Sequence, residues 1–80
     1  MTVLELGKKL REMYETPGAN KTTMIHLFGI IYSDEITNAK ITAAEIIHAA
    51  DMQPSYATEV YKGVRLGEYV EVKSFYKNRF

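Results

Sequence analysis

The chain has 80 residues, 46% of them apolar, no cysteine, and ten Lys and Arg against ten Asp and Glu, for a net charge of zero. One domain with a core small enough to be marginally stable alone is expected, with no disulfide to help it. The longest mainly apolar run, Met24 to Tyr32, is far short of the roughly 20 residues of a membrane-spanning helix, and the opening MTVLELGKKLREM lacks the pattern of a signal peptide, so a cytoplasmic protein with no membrane partner is expected.

Thr2 and Glu5 have the spacing of a capping box and predict a helix over about 3–15. Its apolar stripe is Val3, Leu6, Leu10, Met13 and Tyr14, while Lys8, Lys9, Arg11, Glu12 and Glu15 face water. Thr16–Ala19 is a turn by composition. Asn20 caps a second helix over about 21–37, with Met24, Leu27, Phe28 and Ile31 as its main stripe and Ile25, Ile30 and Ile36 widening it. Apolar residues on more than one face mark the central helix of a domain, or a helix that also meets a second subunit. Gly29 inside this helix costs about 1 kcal/mol relative to Ala, and close approach of a neighbouring helix accounts for it.

After a connection at Thr37–Lys40, two shorter helices are predicted. Thr42 and Glu45 form a capping box for the first, over about 42–51, with Ile46, Ile47 and Ala50 as its apolar side. Pro54 disfavours helical geometry at Gln53 and ends it. Ser55 caps the second, over about 55–66, whose stripe is Ala57, Val60, Tyr61 and Val64, with Gly67 as its stop. Glu68–Lys73 then alternates polar with apolar and predicts a strand over about 69–73. A single strand is not stable alone. It pairs near Ile41, forms half of a small wing, or pairs with its twin in a dimer. The tail Ser74–Phe80 either docks or frays.

The stretch Ile41–Gly67 resembles the helix-turn-helix and winged-helix-like DNA-binding families. The matching residues are Ile46 and Ala50 on the first helix, Met52 as the buried turn residue, and Val60 on the second. The chain departs from the family pattern at Asp51, where Gly is usual, at Ile47, where a small residue is usual, and at Ala57, where a branched apolar residue is usual. Asp tolerates a left-handed conformation better than most residues. The resemblance implies that the outer face of the second helix enters the major groove. Ser55 and Thr58 then bond to base edges or phosphates, and Tyr56 meets a phosphate or a thymine methyl. Glu59 accepts from a cytosine amino group. Lys62 and Arg65 hold phosphates. Gln53 bonds to a phosphate or base edge, or is only a polar turn residue. Lys40 and Thr42 touch the backbone. Without DNA, the same face is a solvated surface carrying a Glu59–Lys62 pair.

The expected fold is therefore all-α, a small domain of four helices containing a helix-turn-helix, with a short C-terminal strand or wing. Residues 21–54 carry two basic and four acidic side chains, and residues 55–80 carry five basic and three acidic, so the second motif helix lies in the more basic end. One copy suits only weak phosphate contact, and a homodimer on double-stranded DNA is expected because two-fold dimers double the contacts. His26 and His48 have no metal-ligand spacing, and no phosphate loop or nucleophile motif occurs. No cofactor, metal or enzymatic activity is expected, and the aromatic residues at 14, 32 and 61 fall on or near apolar stripes. The alternative is a protein-interaction module on the same scaffold, supported by the zero net charge and the aromatic C-terminus.

Overall fold

Three of the four polar caps read from the sequence each start a helix. In the structure, a computed structural model describing residues 1–80, Thr2 and Thr42 close capping boxes with Glu5 and Glu45, and the Asn20 side chain accepts from the Thr23 N–H. The helices are α1 (Val3–Tyr14), α2 (Lys21–Ile31), α3 (Ser33–Asn38), α4 (Ala43–Ala49), α5 (Ala57–Leu66) and α6 (Ser74–Lys77), with a single 3-10 turn at Pro54–Tyr56 before α5. Helix α5 lies centrally, against α2, α3 and α4, while α1 covers α4 and α2. Leu6 and Leu10 of α1, Ile25 and Phe28 of α2, Ile46 of α4 and Val60 of α5 are fully buried at the centre.

The fold has six helices rather than four. The predicted helix over 21–37 is broken at Tyr32, whose φ −102° and ψ 16° leave the helical range. Just beyond the break, the buried Ser33 hydroxyl donates to the Val64 carbonyl of α5 at 2.8 Å. That carbonyl lies in the last turn of α5, where no helical N–H is left to satisfy it. The break therefore lets α3 follow the end of α5. Ile25 and Phe28 are buried and Leu27, Ile30 and Ile31 are half-buried, so most of the broad apolar surface of α2 is used inside one copy.

No strand forms at 69–73 and there is no wing. Tyr69 and Val70 donate back to the Leu66 carbonyl as the frayed end of α5, and residues 71–73 make no backbone hydrogen bond to a second segment. The alternation is there, but a ladder needs a partner. The chain then turns through α6, and Phe80 docks. Its side chain packs on the core and its carbonyl accepts from the Tyr32 hydroxyl at 3.3 Å.

Helices α2 and α5 cross at backbone contact. A Cβ at Gly63 would stand 2.4 Å from the His26 carbonyl oxygen, and one at Gly29 would stand 2.7 Å from the Val60 carbonyl oxygen. Glycine at both positions lets the two backbones meet, which is the close packing expected of Gly29.

Candidate nucleic-acid interface

The turn between α4 and α5 follows from how α4 ends. Ala50 caps it, and Asp51 takes φ 56°, the left-handed conformation expected there. The Asp51 N–H donates to His48 and the Met52 N–H to Ile47, the paired bonds of a Schellman ending. Asp51 thus fills the position where glycine is usual, and Met52 packs on the core. Arg11 of α1 secures this ending from outside. Its guanidinium donates to the carbonyls of Asp51 at 3.0 Å and Ala50 at 3.4 Å, carbonyls that α4 itself leaves free. Arg11, expected among the water-facing residues of α1, therefore has a structural role at the turn. Gln53 is extended (φ −66°, ψ 138°), as a residue before proline should be, and Pro54 opens the 3-10 turn that leads into α5. Ser55 is not an N-cap, because the helical geometry starts before it. The same left-handed ending recurs at Lys40, φ 56°, where Ile41 donates to Ile36 and Lys40 to Thr37. Helix α4 is thus bracketed by two tight reversals, each on a non-glycine residue.

The inner face of α5 is Val60, Gly63 and Val64, all buried. On the outer face, Ser55, Thr58, Lys62 and Arg65 are exposed along one line at helical spacing, and Gln53 is exposed in the turn just ahead of them. No other segment of the chain covers this line. The docked tail lies instead against Lys9, Glu12 and Met13 of α1.

Two of the predicted site residues are committed inward. Tyr56 is half-buried against the core, its ring 5.7 Å from that of Tyr14 and its hydroxyl 3.3 Å from the Tyr14 hydroxyl. That hydrogen bond raises the Tyr56 pKa, so the phenol remains neutral. Glu59 has a side chain only 23% exposed and bridges two partners, His26 and Lys62. His26 Nε2 of α2 lies 2.9 Å from Oε1, and Lys62 Nζ lies 3.0 Å from Oε2. A carboxylate can only accept, so the His26 proton sits on Nε2. The bond from His26, followed by that from Lys62, holds the Glu59 carboxyl below its ordinary value. Glu59 therefore ties α5 to α2 and leaves Lys62 at the rim.

Tyr61, expected on the buried stripe, is 53% exposed and belongs to the outer face. Its hydroxyl accepts from Arg65 at 3.1 Å, and the Arg65 guanidinium lies 5.7 Å from the Tyr61 ring centre. This bond, first, and the nearby Glu68 carboxylate raise the Arg65 pKa, so its charge is fixed. Tyr61 also lines a groove with Lys40, Ile41 and Thr42, which brings the start of α4 beside α5. The signal missed was the line itself, since 58, 61, 62 and 65 recur at i, i+3, i+4 and i+7 on the polar side. Beyond Arg65 the surface turns apolar, with Leu66 and Tyr69 exposed.

His26 and His48 stand on different helices, and no three His, Asp or Glu side chains converge. No helix is long and apolar enough to cross a membrane. A family model described as an HTH-like domain matches residues 2–73, nearly the whole chain. No curated protein and no solved structure matches it.

Proposed function

The chain belongs to the HTH-like domain family, and we propose that it binds double-stranded DNA as a homodimer, places α5 in the major groove, and acts as a small non-enzymatic regulator of transcription. The observation that carries this reading is the uncovered line Ser55, Thr58, Lys62 and Arg65 on a helix seated behind a left-handed turn. Ser55 and Thr58, near the start of α5, read base edges or phosphates, and Gln53 reaches the backbone beside them. Lys62 and Arg65 neutralise phosphates. Tyr56 and Glu59 support the helix from behind and are not readers, because both are held by other side chains. The molecule measures 28 Å along its longest axis, short of the roughly 34 Å between successive major-groove faces on one side of the duplex. One copy therefore brings one α5 to one groove, and a second copy serves the second half-site.

Titration of labelled duplex DNA at several salt concentrations tests this. Two phosphate-binding cations per copy give a dimer a slope of log affinity against log salt of about −4. Lys62→Glu with Arg65→Glu removes binding while the circular dichroism spectrum is retained. Absence of binding by the parent chain at low salt refutes the reading. It would favour the second reading, a protein-interaction surface, for which the exposed Tyr61, Leu66 and Tyr69 beside Arg65 are the supporting observation.

A further inference from the structure

The segment that fails to form a strand is the most conspicuous unpartnered part of the molecule. The N–H groups of Glu71, Val72 and Lys73 and the carbonyls of Val70, Glu71 and Val72 make no backbone hydrogen bond. The Ser74 N–H, at the first position of α6, has no helical partner either. Lys73 has φ −54° and ψ 138°, close to the polyproline II conformation. The large exposed apolar side chains gather around this segment. Leu66, Tyr69, Val70, Phe75 and Tyr76 are all at least 47% exposed, and only Met1, Leu4 and Tyr61 elsewhere in the chain match them.

The geometry points to this segment as the homodimer seam, with the two copies paired antiparallel about a two-fold axis through Val72. The inference rests on the two-fold assembly proposed above and names its surface. The occupant is a second copy because the segment is complementary to itself. In that register each Glu71 faces the partner's Lys73, and each Lys73 faces the partner's Glu71. Both are exposed and neither makes an ion pair within its own copy. Opposite charges directly across an antiparallel pair are stabilising, and like charges there are destabilising. Each Val72 exchanges its N–H and carbonyl with its twin, and each Ser74 N–H reaches the partner's Val70 carbonyl. None of the existing backbone bonds is broken, since Val70 donates to Leu66 within its own copy and the groups used are free. Tyr69 and Phe75, both exposed, flank the ladder at its two ends and add apolar contact area between the copies. A ladder this short is not stable by itself, and those flanking aromatics supply the apolar area it needs.

Sedimentation equilibrium of the full chain without DNA tests the seam. At tens of micromolar the parent chain is a dimer. Glu71→Lys places Lys opposite the partner's Lys73 twice over, and Lys73→Glu places two carboxylates together in the same way. Each variant weakens the dimer by about tenfold or more. Mixing the two variants restores it, because every cross-strand pair is then of opposite sign. Both substitutions are at exposed positions outside any helix, and circular dichroism checks that the fold is retained. A parent chain that sediments as a monomer overturns the seam and the dimer together. A dimer insensitive to either substitution, or not restored on mixing, overturns the seam alone. The DNA reading is measured separately, through Lys62 and Arg65 on α5.

Discussion

Substituting Gly63 by alanine should destabilise the fold more than any other single-methyl insertion on α5. An ideal Cβ there lies 2.4 Å from the His26 carbonyl oxygen and 3.0 Å from the Gly29 Cα. Both are backbone atoms, so no side chain can rotate aside. Bringing the nearest contact out to 3.0 Å alone requires α2 and α5 to part by about 0.6 Å, which is 3.0 less 2.4. A gap of about that size forfeits roughly a quarter to a half of the dispersion energy between facing atoms. Over-packing of this kind costs about 1–3 kcal/mol, and a backbone-to-backbone seam belongs at the upper end. Alanine recovers about 1 kcal/mol of helix propensity. The packing effect wins, leaving a net loss of about 2 kcal/mol, or about 8–16 °C in Tm for a domain of this size. Thermal unfolding followed by far-ultraviolet circular dichroism measures it. Gly18→Ala is the contrast, with nothing within 4 Å of the added methyl and only the strain of φ +77°, a cost of about 1–2 kcal/mol. If Gly63→Ala melts at or above the parent temperature, the helices do not meet as described.

Ser33→Ala leaves the Val64 carbonyl without its 2.8 Å donor and should cost about 1–3 kcal/mol in urea unfolding, whereas an unchanged midpoint would mean that water replaces the hydroxyl. Arg11→Met keeps the stem but removes the donor to Asp51 and Ala50, and should cost about 1 kcal/mol because the site is partly solvated. Its second readout is faster amide exchange at Ala50–Met52, and equal exchange would show that the turn holds itself. Glu59 has a folded pKa below its ordinary 4.5, so its share of stability is complete above pH 4.5 and is lost as pH falls through the folded value. Glu59→Gln should flatten the pH dependence of unfolding below pH 4.5, and an unaltered slope would deny the His26–Glu59 link.

Local chemistry was legible in this sequence and long-range geometry was not. Three of the four expected side-chain caps form, because a cap needs only residues three positions apart. Asp51 takes the left-handed turn for the same reason. The fourth cap, Ser55, fails because Pro54 starts the helical geometry ahead of it. The break at Tyr32 carries no proline or glycine to announce it. It depends on Val64, 31 residues from Ser33, leaving a carbonyl for Ser33 to satisfy. The predicted strand failed because alternation describes a segment and pairing requires a second one. On α5 the apolar spacing points to Tyr61, but the inner face belongs to Gly63, which hydropathy cannot mark as buried. Nothing local to Tyr56 and Glu59 reveals that Tyr14 and His26 reach them.

On the proposed reading, how a neutral domain holds a polyanion follows from the state of its outer cations. Lys62 is tied to Glu59 at 3.0 Å, and Arg65 reaches Glu68 at 4.0 Å; both cations are more than half exposed. Exposed pairs of this kind contribute about 0–1 kcal/mol, so exchanging a carboxylate for a phosphate costs little. Glu59 does not leave when Lys62 swings away, because His26 still holds its other oxygen. The carboxylate therefore stays on the α2 side of α5, and the outer line keeps Ser55, Thr58 and two cations. Net charge is a property of the whole surface, whereas phosphate contact is decided within about a Debye length, roughly 8–10 Å, of the charges involved. A zero sum over 80 residues is therefore compatible with a locally basic helix. On the proposed reading it limits how much one copy can do, and it makes the second copy part of the binding reaction rather than an accessory to it.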